Sequence, residues 1–219
     1  MAPSRAGGLK MNVHDLNRGA IEQGARSLRS LSAPERRRGQ RLRTVYRVAR
    51  LFTRGDTGLA RVRNISDGGL MLSTTMDMCV GDPVRVDLSD SCSLSGKVAW
   101  HHGDQCGIAL NAPIDSSAVL KRLFEERRAG DARPMRINHQ KSVVVESELG
   151  LQVATLRDVS QSGLKLAHDG RFTAGLPVKV RLSPELERRG VVRWSQTGLA
   201  GVVLTEGLSV EELGSMRDL

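Results

Sequence analysis

Residues 64–72 and 158–166 carry one pattern twice. Asn64-Ile65-Ser66-Asp67-Gly68-Gly69-Leu70-Met71-Leu72 is echoed 94 residues later by Asp158-Val159-Ser160-Gln161-Ser162-Gly163-Leu164-Lys165-Leu166. The offset then holds without a gap. Gly81 and Pro83 meet Gly175 and Pro177. Val84-Arg85-Val86-Asp87-Leu88-Ser89 meets Val178-Lys179-Val180-Arg181-Leu182-Ser183. Gly96, Val98 and Trp100 meet Gly190, Val192 and Trp194, and Gly107 and Leu110 meet Gly201 and Leu204. The repeat accounts for both tryptophans of the chain. A 219-residue chain with a gapless duplication of this length folds as two like domains in tandem.

Each unit reads as β. Val84, Val86 and Leu88 alternate with polar residues, as do Val178, Val180 and Leu182, which is the period of a half-buried strand. Short apolar runs are punctuated by Gly, Pro, Asn, Asp and Ser. Val98-Ala99-Trp100, the segment His101-His102-Gly103-Asp104 and Gly107-Ile108-Ala109-Leu110 predict a hairpin with both histidines in an exposed turn. Several short strands in a unit this small predict a closed barrel, because closure removes exposed sheet edges. A helix is expected after each barrel, opening at Asp115-Ser116-Ser117 in the first copy and at Ser209 in the second, both with N-cap chemistry. The polar stretch Arg127–Pro134 reads as the linker. The expected division is a flexible segment over 1–33, a first domain over 34–127 and a second over 133–219. A weak helical stripe (Val13, Leu16, Ala20, Leu28, Leu31) falls in the N-terminal segment, weakened by Gly19 and Gly24.

Charge is concentrated. Thirty-three Lys and Arg against 24 Asp and Glu give a net +9, and residues 1–50 alone hold twelve basic and three acidic residues. The rest of the chain is neutral, so the positive field is that of a basic arm. Its bland reading is a solvated segment. Its functional reading is an anionic partner, whether nucleic acid, acidic lipid or a phosphate-bearing small ligand. No run approaches the roughly 18 apolar residues of a membrane span, and no apolar core follows the N-terminal basic residues, so a cytoplasmic protein is expected. Three cysteines in such a context are expected as free thiols.

Just before the first barrel stands Arg36-Arg37-Arg38-Gly39-Gln40-Arg41, in which Arg37 and Arg41 are spaced RxxxR. Asn64-x-Ser66-x-x-Gly69 begins 23 positions after Arg41. Each piece alone is weak: Arg43/Arg47 and Arg50/Arg54 repeat the first spacing, and the second could be an ordinary turn. Together their chemistry is coherent. Arg forks match phosphate oxygens or the O6/N7 edge of guanine, and the flat guanidinium stacks on a purine. Asn64 offers both an acceptor and a donor to a guanine edge. Ser66 offers a hydroxyl, and Gly69 allows a close backbone approach.

These residues resemble the PilZ domain family, bacterial receptors for cyclic di-GMP, whose hallmark is RxxxR followed by [D/N]xSxxG. The resemblance covers about 35–126 and again about 133–216. It implies a mainly β fold, two six-stranded barrels each with a C-terminal helix, behind the basic arm. It implies that Arg37 and Arg41, with Arg36 and Arg38 as weaker candidates, hold phosphates and bases. It also implies that the turn from Asn64 to Gly69 cradles a guanine, and that Trp100 and Trp194 sit in the core. The expected ligand is cyclic di-GMP, with no cofactor, and the output goes to a separate, unidentified protein.

The second copy departs from the pattern. Asp158, Ser160 and Gly163 are intact, but Asp131 and Met135 stand where Arg37 and Arg41 stand in the first. Arg136, one position on, is the nearest substitute, with Arg133 off register. The second domain is therefore expected to be degenerate, with Arg136, Asp158, Ser160 and Gly163 as weaker site candidates. Losing one charge-assisted contact costs about 1.5–3 kcal/mol.

Other chemistry is poorly supplied. Cys92, His101, His102 and Cys106 lack paired-ligand zinc spacing, and their counterparts are Leu186, Ser195, Gln196 and Ala200, so no metal site is expected. No nucleophile has an activating context and no phosphate loop occurs, so no enzyme activity is expected. Aromatic residues are only 3%, a thin platform for nucleic-acid stacking. Two alternatives remain beside the receptor reading: a ligand-independent interaction module, and an arm that binds nucleic acid or acidic lipid.

Overall fold

The computed structural model describes residues 47–130 and 134–219. Arg36, Arg37, Arg38 and Arg41, the helical stripe and most of the basic arm lie outside the described residues. The first half forms β1 (Arg47–Phe52), β2 (Thr57–Ser66), β3 (Gly69–Ser73), β4 (Pro83–Ser89), β5 (Cys92–His102), β6 (Gln105–Leu110) and α1 (Ser116–Arg128). The second forms β7 (Arg136–Ser147), β8 (Gly150–Ser160), β9 (Gly163–Ala167), β10 (Pro177–Ser183), β11 (Leu186–Gln196) and β12 (Leu199–Leu204).

Each set closes into an antiparallel six-stranded barrel. The orders are β1-β2-β3-β6-β5-β4 and, equivalently, β7-β8-β9-β12-β11-β10. The 94-residue offset survives in three dimensions down to the bulges. The ladder slips between Val62 and Asn64, Asp87 and Ser89, and Val98 and Trp100. It slips again between Leu156 and Asp158, Arg181 and Ser183, and Val192 and Trp194. Alternating apolar residues fill each interior. Leu51, Val62, Ile65, Leu72, Val86 and Ile108 fill the first, and Val145, Leu156, Leu166, Val180, Val192 and Val202 the second.

The helix after the first barrel forms as expected. Asp115 caps it by accepting from the Ala118 N–H at 2.9 Å, Leu123 packs on the core, and Arg127 and Arg128 occupy the last turn. The expected second helix does not form. Its capping box is present, with Ser209 N–H donating to Glu212 Oε2 at 2.8 Å and Glu212 N–H to Ser209 Oγ at 3.0 Å. The chain then leaves the helical path, and residues 210–218 are turns and a bend. The cause is competition for its backbone. The Leu213 carbonyl accepts from the Leu59 N–H at 2.7 Å, and the Met216 N–H donates to the Thr57 carbonyl at 3.0 Å. Gly214 lies so close to Gly58 that a Cβ there would collide with the Gly214 carbonyl.

This C-terminal segment joins the barrels. Leu59 belongs to the core cluster of the second barrel, together with Leu208, Leu213 and Met216. Asp56 accepts from the Ser215 hydroxyl at 2.6 Å and from the Met216 N–H at 3.1 Å. Arg61 grips Glu211 through Nε and Nη2 at 2.9 and 3.2 Å.

Candidate functional site

The Asn64–Gly69 stretch is the β2–β3 hairpin. Ser66 pairs with Gly69 across a two-residue Asp67-Gly68 turn, the residue pair that favours a tight hairpin. The Ser66 hydroxyl donates to the Gly69 carbonyl at 3.2 Å, and Ser160 repeats the bond to Gly163 at 3.1 Å. Gly69 has a steric reason of its own: a Cβ would stand 2.6 Å from the Ile108 carbonyl oxygen. At Gly163 the Val202 carbonyl oxygen would be 2.7 Å away. Serine and glycine of the motif thus hold the turn closed against the neighbouring strand.

The bulge sets the direction of Asn64. Val62 pairs with Leu72 and Ile65 with Leu70, all in the core, whereas Asn64 pairs with half-buried Met71. The extra residue turns Asn64 out of the apolar interior. Its Oδ1 is nevertheless buried and accepts no hydrogen bond among the described residues. In the second barrel the equivalent Asp158 is held by Arg136, whose Nη1 lies 2.6 Å from Asp158 Oδ1.

Arg136 and Asp158 open onto a cleft of about 450 Å³ on the outer face of the second barrel, shared with Gly163, Lys165, Arg193 and Trp194. Lys165 and Arg193 were not singled out from the sequence. The constant offset carried the signal, since they stand where the first barrel has Met71 and Ala99. The second copy thus carries basic groups on the barrel at two positions where the first has none.

The tryptophans are not in the core. Trp100 and Trp194 are 42% and 44% exposed. The bulges after Val98 and Val192 reverse the alternation, so the ring leaves the interior and lies across Gly107 or Gly201. A Cβ on either glycine would collide with the indole Nε1. The histidines also sit differently from expectation: His101 and His102 end β5, His102 is exposed, His101 is half-buried, and the turn is only Gly103-Asp104.

One arginine of each later pair, Arg47 and Arg50, is occupied. Arg47 donates through Nε to the Leu88 carbonyl at 2.7 Å and through Nη1 to the Leu123 carbonyl at 3.4 Å. Arg50 Nη2 lies 3.2 Å from Asp87 and 3.1 Å from Asp90. Cys79 is exposed, while Cys92 and Cys106 are buried. Burial pushes the Cys106 thiol up to about 11. Among the described residues, no three His, Cys, Asp or Glu side chains converge as a metal would need. No described helix is long and apolar enough to cross a membrane.

Each hairpin is also bonded to the last strand of its barrel and to the loop beyond that strand. The Asp67 carbonyl accepts from Ile114 at 2.9 Å and the Gly68 carbonyl from Leu110 at 3.0 Å. Their counterparts are Gln161 with Leu208 at 2.7 Å and Ser162 with Leu204 at 3.0 Å.

The profile of the PilZ domain matches residues 35–126 and again 125–219. The chain belongs to the PilZ domain family. No curated protein matches it. Among solved structures it is similar to the Borreliella burgdorferi PlzA protein in complex with c-di-GMP, at 13% identity. That likeness covers 74% of this chain and 81% of that one, with a TM-score of 0.34. The Bacillus subtilis inhibitor of motility MotI/DgrA is 14% identical over 75% and 90% of the two chains, with a TM-score of 0.29. Escherichia coli YcgR in complex with c-di-GMP is 10% identical over 76% and 77%, with a TM-score of 0.26. In both PilZ domains of the present chain, the bulged hairpin carries the [D/N]xSxxG residues.

Proposed function

We propose that this tandem PilZ protein is a non-enzymatic receptor for cyclic di-GMP. Its ligand would be clamped between Arg37 and Arg41 of the arm and the Asn64–Gly69 hairpin of the first domain. The observation that carries this reading is the Asn64 Oδ1. A buried acceptor without a partner costs about 1–3 kcal/mol, and a guanine N–H is the donor that would relieve it. Ser66 and Gly69 keep the hairpin rigid around it. Arg47 and Arg50 are already engaged by carbonyls and carboxylates, whereas Arg37 and Arg41 stand before β1 in the sequence. The Asp67 carbonyl's bond to Ile114 and the Asp67 carboxylate's acceptance from the Ser116 N–H and hydroxyl would give ligand binding a route to α1, and so to a protein partner.

Isothermal titration with cyclic di-GMP tests the reading. Arg37→Ala/Arg41→Ala should abolish or strongly weaken the heat of binding, and unchanged affinity would sink the clamp. Absence of binding in the unaltered chain would favour the ligand-independent interaction module. A second reading rests on the cleft of the second domain. There Arg136, Lys165 and Arg193 gather around Asp158 and the half-exposed face of Trp194, so that domain takes an anionic purine ligand too. Stoichiometry that falls on Arg136→Ala/Arg193→Ala, with the first site left intact, is its signature.

A further inference from the structure

Leu151 and Val153 on β8 are each 74% exposed, and Leu149 beside them is 47% exposed. Their counterparts in the first barrel are Thr57 and Leu59, and Leu59 is only 1% exposed. The difference is a covering segment. β3 pairs with β2 only from Arg61 onward, so the stretch before it has a free edge. The C-terminal segment fills that edge through Leu59 N–H to the Leu213 carbonyl and Met216 N–H to the Thr57 carbonyl. In the second barrel β9 pairs with β8 only from Thr155 onward. Among the described residues, no backbone hydrogen bond reaches Leu151 or Val153 from the corresponding side.

The occupant cannot be a segment seated like the chain's own C-terminus. Asp56, which receives Ser215 and Met216, is replaced by Gly150. Gly58, which admits the Gly214 carbonyl, is replaced by Gln152. We propose that this ledge pairs with the same ledge of a second copy of the chain. The two β8 strands would run antiparallel about a two-fold axis passing between the two Gln152 residues.

Three features make the ledge its own complement. First, the N–H and C=O groups of Leu151 and Val153 share the free edge, as their counterparts Thr57 and Leu59 demonstrate. With the axis at Gln152, Leu151 stands opposite the partner's Val153, and the two exchange both backbone bonds. Their apolar side chains then cover one another on the outer face.

Second, the Gln152 amide has both its oxygen and its nitrogen buried without a hydrogen-bond partner. In this register Gln152 stands opposite the partner's Gln152 as a closely spaced pair with Cα atoms about 4.5 Å apart, so a change of side-chain rotamer in each brings the two amides together. A primary amide supplies both the donor and the acceptor that another primary amide needs.

Third, the β7–β8 hairpin tip carries exposed Glu148, while exposed Arg157 lies beyond the other end of the ledge. Antiparallel pairing carries each acidic tip toward the partner's Arg157, whereas a parallel arrangement would set the acidic tips side by side. Pairing of this kind is isologous and closed, so it consumes the open edge without propagating.

Sedimentation of the full chain tests this directly. At concentrations up to about 100 μM, the expected species has twice the 23.8 kDa chain mass. Val153→Lys should return it to the single-chain mass while the variant keeps one cooperative unfolding transition, since in the single chain that side chain faces solvent. A second variant fixes the register. With Cys79→Ser removing the exposed thiol, Gln152→Cys should form an intermolecular disulfide under mild oxidation, because the paired Cα spacing is within disulfide range. A single-chain mass for the unaltered protein overturns the proposal, whatever other protein the ledge holds. So does a double mass that survives Val153→Lys. Loss of the dimer in Val153→Lys without a Gln152→Cys cross-link overturns the antiparallel register.

Discussion

Asp67 Oδ1 accepts from both the backbone N–H and the hydroxyl of Ser116, at 3.1 and 2.5 Å. One carboxylate in the motif turn therefore holds the first turn of α1. The Ser116 hydroxyl, and after it the Ser116 N–H, hold the Asp67 carboxyl below its ordinary value. If the turn is the ligand cradle, ordering it should slow amide exchange at 116–120. Asp67→Asn keeps the turn but weakens the acceptor. Hydrogen exchange should then show faster exchange at the start of α1 in the free protein, and loss of the ligand-induced protection there. Protection that persists in Asp67→Asn would show that the helix is not coupled through this contact.

Asn64 offers the sharpest single-residue test of the cradle. Asn64→Ala removes an acceptor whose partner is proposed to be a guanine N–H, so cyclic di-GMP affinity should fall about tenfold. Asn64→Asp presents an ionised acceptor at the same place and should bind as tightly or more so. Calorimetry on both variants checks the order. Equal affinity for Ala and Asn at this position would remove Asn64 from the site.

The legible part of this molecule was what repetition and alternation encode. Val84, Val86 and Leu88 announce a strand, their copies announce another, and the constant offset fixes two like barrels. What escaped depends on single extra residues and on distant contacts. Trp100 follows Val98 at the spacing of one strand face, yet a bulge between them turns the ring outward. Alternation cannot register such an insertion, although Gly107, placed to receive the ring, hints at it. The absent second helix is a matter of competition. Ser209 and Glu212 make a sound capping box, but the carbonyl of Leu213 finds the N–H of Leu59, 154 residues earlier in the chain. Lys165 and Arg193 were visible only by asking where the two copies differ in charge.

The packing of Trp194 against Gly201 supports the second-domain cleft, since both residues line it. Gly201→Ala places a methyl group where the indole Nε1 lies. The ring must swing away, at a cost of about 1–3 kcal/mol. In a Trp100→Phe background, tryptophan emission reports Trp194 alone and should shift to the red as the ring gains solvent. An unshifted spectrum would mean that the strand yields instead of the ring.

Thiol reactivity should separate the three cysteines. Cys79 is exposed, whereas burial raises both Cys92 and Cys106, the latter to about 11. The thiolate is the reactive form, so a maleimide at neutral pH should label Cys79 and leave the other two until the protein unfolds. Mass spectrometry of the labelled chain counts the adducts. Rapid labelling of Cys106 under native conditions would show that the first barrel opens locally.

The pair Arg61–Glu211 ties the first barrel to the C-terminal segment and sets a pH dependence. The Arg61 guanidinium, with backbone bonding and charge attraction in support, holds the Glu211 carboxyl down to about 2 against an ordinary value of 4.5. A carboxyl depressed by folding stabilises the fold fully above its unfolded value. That contribution is lost as pH falls through the folded one, here from about 4.5 toward about 2. Both side chains are well exposed, so solvent screening limits the pair to about 0.5–1 kcal/mol near neutrality. Denaturant titrations of the unaltered chain and Glu211→Gln should differ by that amount at pH 6 and converge as the acid limit is approached. A difference that stays constant with pH would assign the effect to packing of the C-terminal segment and not to the charge.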